Sequence, residues 1–276
     1  MKCGYVAVLG LPNAGKSSLT NFFVGEEVAI VSHRKQTTRN SILGILNGDD
    51  FQIIFVDTPG IHHSKNQLDK FMMKNVRSAI AEADVVLYLF DSSKQMGDEE
   101  IEYIENLKTK TPNLILVATK TDKGSVSQKI SPDFKISVKT GEGAKELLDK
   151  IVSFLPERDA LYDEELYTDK SVKFLVAEKI REYLLENLDK EIPHGIAVDM
   201  VSFFEDEDKV LIEADIICER EQHKGIVVGK GGKNLKELGI FVREYVEKLL
   251  EKKCVLKLFV KVDKDWRDKN TSQYGY

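Results

Sequence analysis

Short apolar runs recur through the first half of the chain, and most are followed by a mixed pattern with helical spacing. YVAVLG precedes SLTNFFV, FQIIFVD precedes a helical stretch around Leu68 to Ala83, and VVLYLFD precedes EEIEYIENL. LILVAT and FKISV come next, and AKELLDKIVSFL closes this half before Pro156. Short apolar runs bounded by polar turns suit buried strands, and the patterns between them suit amphipathic helices. Their alternation predicts an α/β unit with a mainly parallel sheet and helices on both faces, whose ligands meet the C-terminal ends of the strands.

The second half has another rhythm. A helix over about Ser171 to Leu188 is followed by AVDMVSFF and KVLIEADIIC, a hairpin turning at the acidic EDED. A short helix ending near Val228, the loop Gly229-Lys230-Gly231-Gly232, a helix from Lys233 to about Leu250 and the strand CVLKLFVKV complete it. The predicted order is α-β-β-α-α-β, with no internal copy of the first unit. The divisions are residues 1–156, an acidic connection over 157–170, and 171–276. Glu157 to Asp169 holds six acidic residues and one basic residue, which suits either a solvated linker or a short ordered connection.

Composition narrows the class. A chain of 276 residues, 42% hydrophobic and 31% charged, suits two domains, and its net charge of −6 excludes a uniformly basic nucleic-acid coat. Arg220 to Lys261 nevertheless carries 11 basic and 5 acidic residues, a local balance of +6. Cys3, Cys218 and Cys254 have no disulfide or metal-ligand spacing and read as small buried hydrophobes. The apolar start is cut short by Pro12, no run approaches the ~18 residues of a spanning helix, and the expectation is a cytoplasmic protein without an integral membrane segment.

Two glycine loops carry the chemistry. Gly10-Leu11-Pro12-Asn13-Ala14-Gly15-Lys16-Ser17, followed by Ser18, satisfies GxxxxGK[ST] between a strand and a helix. Its N–H groups wrap phosphates, Lys16 reaches the β and γ oxygens, and Ser17 ligates magnesium. Asp57-Thr58-Pro59-Gly60 ends a later strand, where Asp57 holds magnesium through water and the Gly60 N–H meets the γ-phosphate. Thr119-Lys120-Thr121-Asp122 follows LILVA, and a carboxylate there accepts from N1–H and N2–H₂ of guanine, which adenine lacks. Ser137-Val138-Lys139 closes over the base. The second loop, GKGG, lacks the Ser or Thr of a nucleotide loop but matches the GxxG signature of a KH domain, which clamps single-stranded nucleic acid. Lys230 and Lys233 would meet phosphate and Ile226, Val227 and Val228 the bases. Core packing for the aliphatics and a solvated face for the lysines stay open. So do base stacking and tail anchoring for Trp266.

These motifs resemble the translation-factor-related GTPases, and over essentially the whole chain the Era family: a P-loop GTPase domain followed by a type II KH domain. The resemblance implies GTP and GDP as ligands with Mg2+, GTP hydrolysis with slow intrinsic turnover, and binding of the 3′ end of small-subunit (16S) rRNA during assembly of the 30S subunit. It makes Gln36-Thr37-Thr38-Arg39 the first switch, with Thr38, or alternatively Thr37, reaching magnesium. Asn13, Lys16, Thr38 and Gly60 are then the catalytic candidates, and Asn13 would bind K+ in place of an arginine finger. Ile61 stands where Ras-like enzymes place a Gln that orients water. His62 and His63 read as switch residues without a catalytic role. Thr119 stands where the family has Asn, and Val138 where it has Ala. The alternatives are an RNA-binding scaffold with little turnover, and a GTPase serving another RNA or lying peripherally on a membrane through Lys123, Lys129, Lys135 and Lys139.

Overall fold

The structure is a computed structural model that describes residues 1–32, 34, 37–189 and 192–268. The chain forms two compact units. Met1–Val31, Thr38–His63 and Met72–Asp169 make the first; Ser32–Thr37, Ser64–Phe71 and the chain from Lys170 onward make the second.

In the first unit, β1 (Lys2–Gly10) leads into α1 (Lys16–Val24), and β2 (Ile42–Asn47) turns back into β3 (Phe51–Asp57). Then come α2 (Gln67–Glu82, in this unit from Met72 onward), β4 (Val85–Asp91), α3 (Asp98–Lys108), β5 (Leu114–Thr119), β6 (Phe134–Lys135) and α4 (Ala144–Phe154). The sheet order is β2-β3-β1-β4-β5-β6, parallel throughout except for the antiparallel edge strand β2. Alternate residues of the central strands serve opposite cores. Val6, Val8, Leu87 and Leu89 pack with Leu19 of α1 and Leu147 and Ile151 of α4. Ala7, Leu9, Tyr88 and Phe90 pack with Val76 of α2 and Ile104 of α3. Buried on both faces, such strands read as the continuous apolar runs seen in the sequence.

Two features differ from the periodicity. SILGILN escaped notice as a strand because Gly44 breaks its apolar run, yet it pairs along its length with β3. FKISV yields only a two-residue strand, Ile136 and Ser137 turning away into the loop beyond it. The acidic run 157–169 is tied to the first unit while its acidic side chains stay exposed. Buried Gln52 accepts from the N–H groups of Leu161 and Tyr162 at 2.8 and 3.0 Å, Arg158 pairs with Asp84, and the Ile45 N–H donates to Tyr167 at 2.9 Å. The free edge of β2 is thereby occupied.

In the second unit, α5 (Val172–Asn187) starts at Ser171, whose hydroxyl accepts from the Phe174 N–H at 3.3 Å. It is followed by β7 (Ile196–Glu205), β8 (Lys209–Cys218), α6 (Glu221–Val228), α7 (Lys233–Leu250) and β9 (Lys253–Val262). The order is the expected α-β-β-α-α-β. β8 lies between antiparallel β7 and parallel β9. Val176, Ile180 and Leu184 of α5 and Leu238, Val242 and Val246 of α7 bury against Val198, Ile212, Ala214 and Ile216 of the sheet. Asp206 closes the hairpin by accepting from the N–H groups of Asp208 and Lys209.

Candidate nucleotide site and nucleic-acid interface

The first glycine loop leaves β1 at Gly10, where φ is +146° and a Cβ would lie 2.3 Å from the Leu89 carbonyl oxygen. Only glycine passes so close to β4. The loop turns through Asn13 (φ +65°) and Gly15 (φ +96°) and opens α1 without a side-chain cap, so the helix presents uncapped N–H groups. Lys16 is buried and its Nζ donates to the carbonyls of Gly10 and Leu11 at 3.2 and 3.1 Å. Burial lowers its pKa to about 8 against the pull of Asp57. Ala14 packs in the core and Leu11 is exposed.

Three oxygens converge beside this lysine. The Ser17 hydroxyl donates to Asp57 Oδ2 at 2.6 Å, and Thr38 Oγ1 lies 3.0 Å from Ser17 Oγ and 3.4 Å from the same carboxylate oxygen. The Asp57 side chain is fully buried, and Oδ1 has no hydrogen-bond partner among the described residues. Burial raises its pKa to about 6, opposed by the Ser17 hydrogen bond, Lys16 and the Thr38 hydrogen bond. Hard oxygens and an orphaned buried carboxylate oxygen suit Mg2+, which binds through one or two protein oxygens together with phosphate and water. Thr37 is placed otherwise. It groups with the second unit, its hydroxyl donates to the Arg34 carbonyl at 2.9 Å, and its own carbonyl accepts from Arg181. Gln36 of the same expected switch lies outside the described residues.

At the end of β3, the Thr58 hydroxyl donates to the Val8 carbonyl at 2.7 Å, Pro59 and Gly60 are buried, and the Ile61 N–H donates to Gly10 at 3.1 Å. His62 Nδ1 donates to the Gly60 carbonyl at 2.7 Å, whereas His63 is exposed beside Glu99.

The loop expected to read the base meets the first glycine loop through Thr119 and Lys120. Thr119 Oγ1 lies 2.7 Å from the Ala14 carbonyl, to which it donates, and 3.1 Å from that of Phe90. Lys120 adopts φ +59° and donates to the Asn13 carbonyl at 2.6 Å and to Asp91 Oδ2 at 2.9 Å. Sequence reading missed Asp91, although a carboxylate ending an apolar strand was its visible signal. Burial alone would raise the Asp91 pKa, but the hydrogen bonds from Ser93 and Lys120 outweigh it and hold the group below its ordinary value. Asp122 is exposed, and its Oδ1 accepts from the Ser137 hydroxyl at 2.8 Å. That bond orients the carboxylate and leaves lone pairs for a base edge. Val138 packs partly into the core, and Lys139 is exposed.

The second glycine loop joins α6 to α7. Gly229, Gly231 and Gly232 all have positive φ, at +74°, +61° and +79°. Lys230 and Lys233 are exposed, with Lys233 Nζ 3.8 Å from Glu237. Val227 is core, whereas Ile226 is 44% exposed and Val228 is half-buried. The open choice for the aliphatics therefore divides within one helical turn. Trp266 is fully buried and donates from Nε1 to the Gly195 carbonyl at 3.0 Å, so it anchors the segment after β9 and has no face for a base. Lys129 is paired with Asp98 at 2.7 Å, and among the described residues no helix is long and apolar enough to cross a membrane.

Fold and site together define a P-loop nucleotide-binding protein with a KH domain. Residues 5–120 match the family described as 50S ribosome-binding GTPase, and 191–267 match the KH domain family. GTPase Era of Clostridium perfringens is 41% identical over 292 residues, spanning 100% of this chain and 98% of that relative. GTPase Era of Caldicellulosiruptor saccharolyticus is 44% identical over 284 residues, spanning 97% and 94%. Two solved structures superpose with a TM-score of 0.93 at 33% identity over 100% of this chain and 99% of theirs. One is a single-substitution variant of Aquifex aeolicus Era bound to GDP·AlF4−, and the other is an Era in complex with MgGDPNP and nucleotides 1506–1542 of 16S ribosomal RNA. The chain belongs to the Era family of GTPases.

Proposed function

We propose that this protein is a GTP-hydrolysing switch that binds the single-stranded 3′ end of 16S rRNA and assists assembly of the small ribosomal subunit. The observation that carries the reading is the full-length likeness to an Era in complex with MgGDPNP and that RNA, taken with the GKGG loop between α6 and α7, whose Lys230 and Gly231 are exposed.

The loop from Gly10 to Ser18, with the N–H groups that follow Pro12, and the Lys16 ammonium hold the β and γ phosphates. Ser17, Thr38 and Asp57 hold Mg2+, which when bound neutralises charge on those oxygens. Asp122, steadied by Ser137, accepts from guanine, and Lys120 and Thr119 keep the phosphate loop in register with it. Lys139 and Val138 close over the base. The Gly60 N–H meets the γ-phosphate, with Thr58 and Pro59 shaping the turn before it. Water positioning falls to groups other than Ile61, and Asn13 would hold a K+ ion, which would supply the positive charge that an arginine finger supplies elsewhere. In the KH unit, Lys230 and the loop N–H groups clamp the RNA backbone, Lys233 meets a neighbouring phosphate, and Ile226 and Val228 contact bases. RNA binding follows nucleotide state to the extent that the GTP and GDP forms differ in affinity for RNA.

The test measures binding of a labelled 3′-terminal 16S rRNA oligonucleotide against a scrambled one, beside GTP hydrolysis in potassium and in sodium. Preference for the authentic sequence, lost with Lys230→Asp and Gly231→Asp, together with faster hydrolysis in potassium, supports the reading. Equal affinity for both oligonucleotides contradicts the RNA assignment, and equal rates in the two salts contradict the role of Asn13.

A further inference from the structure

The joint between α6 and α7 contains a side chain that the GxxG pattern does not assign. We propose that Asn234 is a positioning residue for the phosphate clamp, tying the end of α6 to the start of α7 so that the Gly229–Gly232 loop is shaped before RNA arrives. The proposal rests on the reading of that loop as an RNA-backbone clamp.

Asn234 is the second residue of α7. Its Nδ2 donates to the carbonyl of Ile226 at 2.9 Å, eight residues back on α6. That carbonyl belongs to the last turn of a helix ending at Val228, where intrahelical donors run out. The amide thus spans the mouth of the loop rather than capping its own helix, whose N-cap is Gly232. It also fits tightly under the loop. A Cβ on Gly229 would lie 2.6 Å from Asn234 Cγ and 2.9 Å from its Nδ2 and Oδ1, so the loop's first glycine is the residue that leaves room for the amide.

The Gly229 N–H donates to Gly225 at 3.0 Å, the Gly232 N–H to Gly229 at 3.1 Å, and the Lys233 N–H to Lys230. Lys230 and Gly231 are the exposed residues of the loop, and their N–H groups are the ones this proposal assigns to a phosphate oxygen. A loop with three glycines loses much backbone freedom when ordered on a ligand. A tie that orders it during folding removes part of that cost from binding. It also holds the α6 turn that displays the exposed Ile226.

The test uses the full chain and a fluorescein-labelled single-stranded RNA of the 3′-terminal 16S rRNA sequence. Asn234→Ala and Asn234→Leu both lack the donor, and the second keeps side-chain volume should the first disturb the fold. Asn234→Gln keeps the donor, and Gly231→Asp controls for the clamp itself. Loss of one hydrogen bond's worth of ordering is expected to weaken RNA binding roughly three- to tenfold in the donor-less variants. The salt dependence should stay as in the native protein, because no phosphate contact is removed. Amide exchange over residues 226–233 of the RNA-free protein should quicken, and Asn234→Gln should recover most of the affinity. Native affinity in both donor-less variants overturns the proposal while Gly231→Asp still abolishes binding. A salt slope lower by about one also overturns it, since Asn234 would then be touching phosphate directly. Unchanged binding by Gly231→Asp would bring down the clamp reading, and this proposal with it.

Discussion

The Ser17 hydroxyl donates a 2.6 Å hydrogen bond to the buried Asp57 carboxylate, joining the first turn of α1 to the end of β3. Thr38 reaches the same oxygen from a third segment, so three stretches far apart in sequence place their oxygens together. Ser17→Ala removes one of them. The Mg2+ concentration needed for half-maximal GTP binding is expected to rise about tenfold or more, as befits a hydrogen-bonding group beside a charge. A magnesium titration with a fluorescent nucleotide reads this, and an unchanged midpoint would remove Ser17 from the metal site.

Asp122 is held by Ser137 at 2.8 Å with one carboxylate edge left for a base. Asp122→Asn exchanges an acceptor for a donor and suits the xanthine edge. GTP affinity is expected to fall by roughly a hundredfold or more while xanthosine triphosphate gains, since a mispaired polar site discriminates strongly. Competition between the two nucleotides checks the expectation.

Thr119 takes over with a hydroxyl a position where the family has Asn, reaching Ala14 at 2.7 Å. Thr119→Val keeps the shape and leaves that buried carbonyl without its donor, at a cost of about 1–3 kcal/mol. A lower melting temperature and faster release of GDP are expected. Thr119→Asn should retain slow release, and stopped-flow displacement of a labelled GDP separates the two variants.

What was legible in the sequence follows from locality. The first glycine loop, Asp57 to Gly60 and Thr119 to Asp122 each lie in a few consecutive residues after a buried strand, where they can be read without tertiary contacts. Asp91 showed only as a carboxylate ending an apolar strand, because its partner Lys120 follows the next strand and only the parallel pairing of β4 with β5 brings them together. That Thr38 rather than Thr37 lies beside Ser17 and Asp57 likewise depends on contacts that no spacing reveals. For the strap over 157–169 a solvated linker and a short ordered connection stayed open, because its acidic side chains are exposed in either case. Its attachment runs through backbone groups and the single buried Gln52. Trp266 stood in a charged segment, and nothing local told that its ring would reach Gly195.

The three cysteines are free and buried, and burial pushes the thiols of Cys218 and Cys254 up to about 11 from 9.0. Near pH 7.5 the native chain should therefore react negligibly with a thiol reagent over minutes and fully, at three sites, in urea. The raised values also set a pH direction. An unfolded thiol ionises near 9 while the folded one stays neutral toward 11, so this contribution to stability is complete below pH 9 and is lost as pH rises between the two. Urea midpoints at pH 8 and pH 10.5, compared with those of a Cys218→Ala and Cys254→Ala variant, isolate it. An equal alkaline fall in the variant would assign the effect to other groups.

The central claim, that a GTPase unit and a KH unit serve one RNA end, is tested most directly by crosslinking the tagged protein to RNA in its own cells and sequencing the sites. A parallel strain carries Lys230→Asp and Gly231→Asp, placing two carboxylates where the loop is to hold a phosphate backbone. The account expects crosslinks concentrated at the 3′ end of small-subunit rRNA and lost in the variant. Crosslinks that lie elsewhere, or that persist at that end in the variant, would contradict it.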